Sequence, residues 1–113
     1  MTKRITVLGR AVTATVERLD EGLDISLLGG DTTHIGAVTI ADGDALDTLS
    51  RPGHKEAVLT EKWAKTFSAR YSCPVCVRAG VHFDRATKAE IAAIVDACEE
   101  LLATVCASEP PLI

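Results

Sequence analysis

Three histidines carry most of the chemistry this sequence can offer. Each lies close to a glycine and to the boundary of an expected element: Thr33-His34-Ile35-Gly36, Pro52-Gly53-His54-Lys55-Glu56 and Ala79-Gly80-Val81-His82-Phe83-Asp84. Binding residues concentrate at such boundaries, and a missing Cβ lets a ligand approach the backbone. A lone His at a strand end is more often a surface or hydrogen-bonded residue than a ligand. Against that reading, every histidine in the chain shares one context. The second segment also opens an expected helix. Free N–H groups and the positive end of the helix dipole point outward there, so a phosphate fits beside His54 and Lys55. The competing reading is an ordinary helix start, with Pro52 and Gly53 as loop punctuation.

Other reactive residues are less informative. Cys73-Pro74-Val75-Cys76 has C-x-x-C spacing, but a redox pair needs its first thiol at a helix N-terminus, and this pair enters a strand. A zinc site needs a second pair, and Cys98 falls in an apolar helical stripe while Cys106 follows eight residues later. Buried free thiols are the simpler reading. Asp42, Asp44 and Asp47 share a loop without EF-hand spacing. No G-x-S-x-G, P-loop, H-E-x-x-H or G-x-G-x-x-G motif occurs, which favours binding over catalysis.

The elements that must position these residues follow from patterning. The 113 residues suit one domain, 47% hydrophobic and only 4% aromatic, so the core must be built from Val, Ile, Leu and Ala. A net charge of −4 argues against a nucleic-acid partner. No apolar run reaches the roughly 20 residues that span a bilayer, and no signal core follows Met1-Thr2-Lys3-Arg4. The expectation is a cytoplasmic protein with reduced cysteines.

Period-two alternation in Val12–Glu17 and Leu23–Leu27, around Asp20-Glu21-Gly22, predicts an N-terminal β-hairpin within residues 1–28, with Gly9 as a bend or bulge. Residues 34–40 read as a third strand and 42–53 as a polar connection. A helix is expected from about His54 to Ala69, with Leu59, Trp63 and Phe67 as its core stripe. Residues 75–83 read as a fourth strand. Thr87 and Glu90 make a capping box for a last helix, and residues 108–113 form a tail that frays. The order β-β-β-α-β-α predicts an α+β domain: one mostly antiparallel sheet with both helices on one face.

This order constrains the histidines. If the third strand, first helix and fourth strand form a crossover, the two strands run parallel. His54 and His82 then meet at one edge, and His34 lies at the other. One cluster of all three requires an antiparallel fourth strand or a second subunit.

The segments Gly29–Val38, Pro52–Glu56, Ala79–Asp84 and Ala86–Ile91 together resemble the LpdD-like family, small proteins found beside decarboxylases of the UbiD type and regarded as chaperones for prenylated flavin mononucleotide. The resemblance spans roughly residues 29–102, the first 28 residues matching in strand character only. It implies a ligand, prenylated FMN or FMN, received from a flavin prenyltransferase and passed to an apo-decarboxylase. It implies binding through His34, Gly36, Gly53, His54, Lys55, Glu56 and His82, with His54 and Lys55 taking the phosphate. A divalent metal on His34, His54 and His82 belongs to the same expectation. So does a homodimer with a fold similar to that of proteasome-assembly chaperones. With few aromatic residues, the flavin ring is expected to lie on aliphatic side chains. The alternative is a small non-catalytic or metal-dependent subunit of a hydroxyarylic acid decarboxylase, acting through His54 and Glu56.

Overall fold

A computed structural model describes residues 1–108; the expected frayed tail lies, apart from Ser108, outside the described residues. Strands β1 (Thr2–Val7), β2 (Arg10–Leu19), β3 (Gly22–Gly30), β4 (Ala37–Asp42) and β5 (Ala45–Ser50) precede helix α1 (Ala57–Tyr71), strand β6 (Val75–His82) and helix α2 (Lys88–Cys106). All six strands form one sheet in the order β1-β2-β3-β6-β4-β5. Only β3 and β6 pair in parallel; the other neighbours are antiparallel. The α+β class and the mostly antiparallel sheet are as the sequence implies.

Strand alternation sends one side of the sheet into the core. Val12, Ala14 and Val16 of β2, Leu23, Ile25 and Leu27 of β3, and Val75, Val77 and Ala79 of β6 are all buried. They join Trp63 and Phe67 of α1 and Cys98, Leu101 and Val105 of α2 in one cluster, so both helices cover the same face. Burying each large apolar side chain contributes on the order of 1.5–3 kcal/mol. The capping box on α2 is present: the Thr87 hydroxyl accepts from Glu90 N, and the Glu90 carboxylate accepts from Thr87 N.

The structure departs from the sequence reading in two strands and one helix end. The expected bend at Gly9 is a tight turn, with Leu8 (φ 51°) and Gly9 (φ 75°) both left-handed, and it splits the N-terminal segment into β1 and β2. The expected polar connection contains β5, which turns back on β4 at Gly43 (φ 58°). Helix α1 begins at Ala57, so His54 stands in the loop before it.

Strand β5 decides the topology. The right-handed crossover rule applies to the strand that feeds the helix. That strand is β5, which runs in the same direction as β6 and is separated from it by β4. Strand β4 is therefore antiparallel to β6, with Ala37 opposite Ala79. The start of β4, the end of β5, the start of α1 and the end of β6 consequently meet at one end of the sheet.

A buried hydroxyl chain fixes α1 to this hairpin. Thr39 Oγ1 lies 2.8 Å from both Thr48 Oγ1 and Thr60 Oγ1, and Thr48 donates to Glu61 Oε2 at 2.7 Å. Each hydroxyl has one proton. Thr60 to Thr39 to Thr48 to the Glu61 carboxylate is the direction that satisfies all three short contacts, and such chains strengthen cooperatively.

Candidate ligand-binding site

At the shared end of the sheet the three histidines come together. The ring centroids of His34 and His54 are 5.1 Å apart, and those of His34 and His82 are 6.1 Å apart. His34 is carried by the loop between β3 and β4. That loop lies directly against β6, because a Cβ on Gly80 would overlap the His34 carbonyl. Gly36 N donates to Ala79 O at 2.8 Å, and Arg51 N donates to Gly36 O at 2.9 Å. The two segments that carry His34 and His54 are thereby tied together.

Glu56 sits at the centre of this arrangement. It is 7% exposed, the most deeply buried carboxylate among the described residues. Its Oε1 accepts from Lys55 N at 3.1 Å. Its Oε2 lies 2.6 Å from His34 Nε2, yet no donor is aligned on it. His34 Nδ1 faces Thr32 O at 3.3 Å, so the ring stands between two acceptors, and a neutral imidazole can donate to only one of them. A buried acceptor without a donor is costly in a dry site and calls for a ligand proton or cation. Gly36 leaves the space the carboxylate occupies; a Cβ there would overlap it.

His54 Nδ1 lies 2.9 Å from Pro52 O, which leaves Nε2 as the free acceptor of a neutral ring. The first turn of α1 is uncapped: Glu56 makes no side-chain cap, and the turn holds no acidic residue. Leu59 and Thr60 N–H donate to Glu56 O, whereas those of Ala57 and Val58 have no backbone acceptor. An anion can be held there. Helix α2, whose capping box fills that role internally, offers no such place.

Below the histidines a cavity of about 610 Å³ opens between the two helices. Its mouth holds His34, Gly53, His54, Lys55, Glu56 and His82, and its walls hold Val58, Leu59, Val81, Phe83, Ala86, Ile91, Ile94 and Val95, with Val58 and Ile91 at the exposed rim. That size and the mostly apolar wall with a few polar groups are typical of a site for a medium-sized organic ligand. Six of the seven residues expected at the site line the cavity, and Gly36 supports it from behind through Glu56.

The apolar half was not assigned by sequence reading. Its signal lay in the apolar stripe of α2, which runs on to Ile91; that residue is 50% exposed because it borders the cavity instead of the core. Of the chain's four Phe, Trp and Tyr residues, Trp63 and Phe67 are core, Tyr71 stacks on Phe67, and Phe83 alone lines the cavity.

The donors do not fit a metal. Among the described residues no group of three or more His, Cys, Asp or Glu side chains is arranged to hold an ion. The cysteine pair fits neither redox nor zinc chemistry. Cys76 lies on the uncovered sheet face opposite Ile40, while Cys73 packs on the core. Burial pushes both thiols up, away from the reactive thiolate. No helix among the described residues is long and apolar enough to cross a membrane.

Comparison with known proteins identifies a family. Residues 7–109 match the family described as the prenylated flavin chaperone LpdD-like domain, which extends the resemblance into β1. Protein LpdD of Lactiplantibacillus plantarum is 31% identical over 100 residues, covering 82% of this chain and 73% of that protein. A chain from a chaperone complex for yeast 20S proteasome assembly is similar with a TM-score of 0.48 and 19% identity, over 92% of this chain and 95% of that one.

Proposed function

The chain belongs to the prenylated flavin chaperone LpdD-like family, a family of chaperones rather than enzymes, and on that premise we propose that the cavity between α1 and α2 carries reduced prenylated FMN. The carrier would take it from a flavin prenyltransferase and release it to an apo-decarboxylase of the UbiD type. The observation that carries this reading is the cavity itself: about 610 Å³, largely apolar in its walls, with a buried carboxylate oxygen on which no donor is aligned at its mouth.

In this reading the phosphate sits at the uncapped start of α1, on the N–H groups of Ala57 and Val58, beside His54 and Lys55. The ring system enters between the helices and packs on Phe83 and the aliphatic side chains around it. Glu56 and His34 meet the polar edge of the ring, where an N–H of the reduced flavin supplies the proton that Glu56 Oε2 lacks. The histidines act as hydrogen-bond and charge partners, with no metal step. The ligand would be held, oriented and kept from water; no bond to it is made or broken.

A second copy is proposed on the uncovered sheet face. There Ile40 and Leu49 are 52% and 78% exposed, diagonal neighbours on β4 and β5, with Leu49 opposite Val38 and Ile40 opposite Asp47.

The test is native mass spectrometry of the protein co-expressed with a flavin prenyltransferase. A dimer carrying the mass of prenylated FMN is expected. His54→Ala should weaken the ligand peak, and Leu49→Asp should shift the protein to monomer. An apo protein beside a working prenyltransferase would refute the carrier reading. A decarboxylase already loaded with cofactor should turn over equally well with or without this protein, whereas a true subunit would still be needed.

A further inference from the structure

Two carboxylates stand in the segments that carry His34 and His82, and neither lines the cavity. Asp31 follows β3, three residues before His34, and Asp84 follows β6, two residues after His82. They share a smaller hollow of about 180 Å³ with Arg10, and Phe83 and Ala86 form the wall between that hollow and the ligand cavity.

Their hydrogen bonds close a circuit around His82. Asp31 N donates to His82 O at 2.7 Å. Asp84 N donates to Asp31 Oδ2 at 2.8 Å. Asp84 Oδ1 lies 3.0 Å from His82 Nε2. Arg10 Nε clamps the other oxygen of Asp31 at 2.7 Å. The backbone and the ring of His82 are thus held by one small network joining β2, β3 and the turn after β6. That turn needs fixing, because Arg85 stands at φ 51° directly after Asp84. The Asp84 N–H and the Arg10 guanidinium hold the Asp31 carboxyl below the usual carboxylate range, so Asp31 can only accept in this network near neutral pH.

The chemistry follows from the carboxylate having no proton to give. Opposite Asp84, His82 must donate from Nε2, and its free lone pair is then on Nδ1. We infer that Asp84 and Asp31 are positioning residues that fix His82 as the Nε2–H tautomer, so that its Nδ1 meets the ligand as a hydrogen-bond acceptor. The group it would receive is an N–H or O–H at the mouth of the cavity. The arrangement is a histidine oriented from behind by a carboxylate whose own backbone N–H is held by a second residue. The part of this inference that concerns a ligand rests on the carrier reading; the part that concerns the ring does not.

The experiment therefore starts without ligand. Long-range ¹H–¹⁵N correlation spectra of ¹⁵N-histidine-labelled protein at pH 8 report each ring's protonation state and tautomer. His82 is expected as Nε2–H in the wild type and in Asp84→Asn, whose carboxamide oxygen still accepts. In Asp84→Ala the signals should move toward a mixture, and in Asp31→Ala they should shift in the same sense by less. A wild-type His82 in the Nδ1–H form, or an Asp84→Ala spectrum identical to wild type, would overturn the assignment whether or not a flavin binds. With prenylated FMN generated anaerobically by a flavin prenyltransferase as the probe, Asp84→Ala should bind roughly tenfold more weakly, and Asp84→Asn near wild type. Equal binding by Asp84→Ala and wild type would refute the acceptor role. Failure of the wild type itself to bind would refute the carrier reading and leave the ring assignment standing on its spectrum.

Discussion

Gly36→Ala is the sharpest probe of the site. Gly36 is buried and its φ is not left-handed, so alanine meets no backbone penalty. The effect is purely one of space. A Cβ built there falls 2.6 Å from Glu56 Oε1 and closer still to the other two carboxyl atoms, where ordinary contact begins at 3.4 Å. The carboxylate must therefore move by well over about 0.8 Å, the shortfall at its least crowded atom. A glutamate on the surface would do so freely. This one is 7% exposed, with Lys55 N–H on one oxygen and His34 against the other. Its simplest escape is to swing toward the mouth of the cavity, into the space assigned to the ligand.

Overpacking of this kind costs about 1–3 kcal/mol. For a chain of this size that lowers Tm by roughly 4–12 °C, taking about 4 °C per kcal/mol. The loss of affinity should be larger, tenfold or more, since the displaced carboxylate blocks the site as well as vacating its place. Differential scanning calorimetry reads the first quantity, and titration with prenylated FMN the second. Glu56→Ala supplies the control. In that background the added methyl group meets no carboxylate, and Gly36→Ala should change Tm by less than about 2 °C, a clear coupling between the two positions. Equal drops in Tm in both backgrounds would refute the reasoning, because the obstruction would then lie elsewhere.

Three further outcomes follow from the same geometry. Glu56→Ala alone should leave Tm unchanged or raise it, since it removes a buried oxygen without a donor, while abolishing tight flavin binding; thermal shift and titration on the same sample decide this. Thr39→Val removes the middle of the buried hydroxyl chain while keeping its shape, and should destabilise by about 1–3 kcal/mol in urea unfolding with an unchanged m-value. Glu90→Gln keeps the capping box but removes a carboxyl whose pKa is lowered chiefly by its bond from Thr87 N–H. The stability linked to that shift is present above the ordinary value of 4.5 and is lost as pH falls through the lowered one, so Tm of the wild type should drop more between pH 5 and 3 than that of the variant.

Much of the fold was legible because local rules acted alone. The capping box at Thr87 and Glu90 and the stripe of Trp63 and Phe67 need no tertiary information, and both are where the sequence puts them. The strands β1 and β5 were hidden for a common reason. Each is an edge strand with few buried side chains, so its apolar alternation is weak: none of the β5 side chains is buried, and Leu49 is 78% exposed. The turns at Leu8-Gly9 and Gly43 were visible as breakers; what lay beyond them was not. The apolar half of the cavity was hidden differently. Val58 and Ile91 fit a helical pattern as well as any core residue does, and only the space left between α1 and α2 makes them wall instead of core.

The site turns on that one unrecognised edge strand. With a direct crossover from β4 through α1 to β6, His34 would face the far end of the sheet, away from Glu56, His54 and His82. Strand β5 adds one reversal, which makes β4 antiparallel to β6 and sets Gly36 opposite the start of α1. The hydroxyl chain from Thr60 through Thr39 to Thr48 then ties β5 to α1 one turn beyond Glu56. An edge strand with little core of its own is thus held by polar bonds, at the place where its direction decides whether three distant histidines can share one mouth.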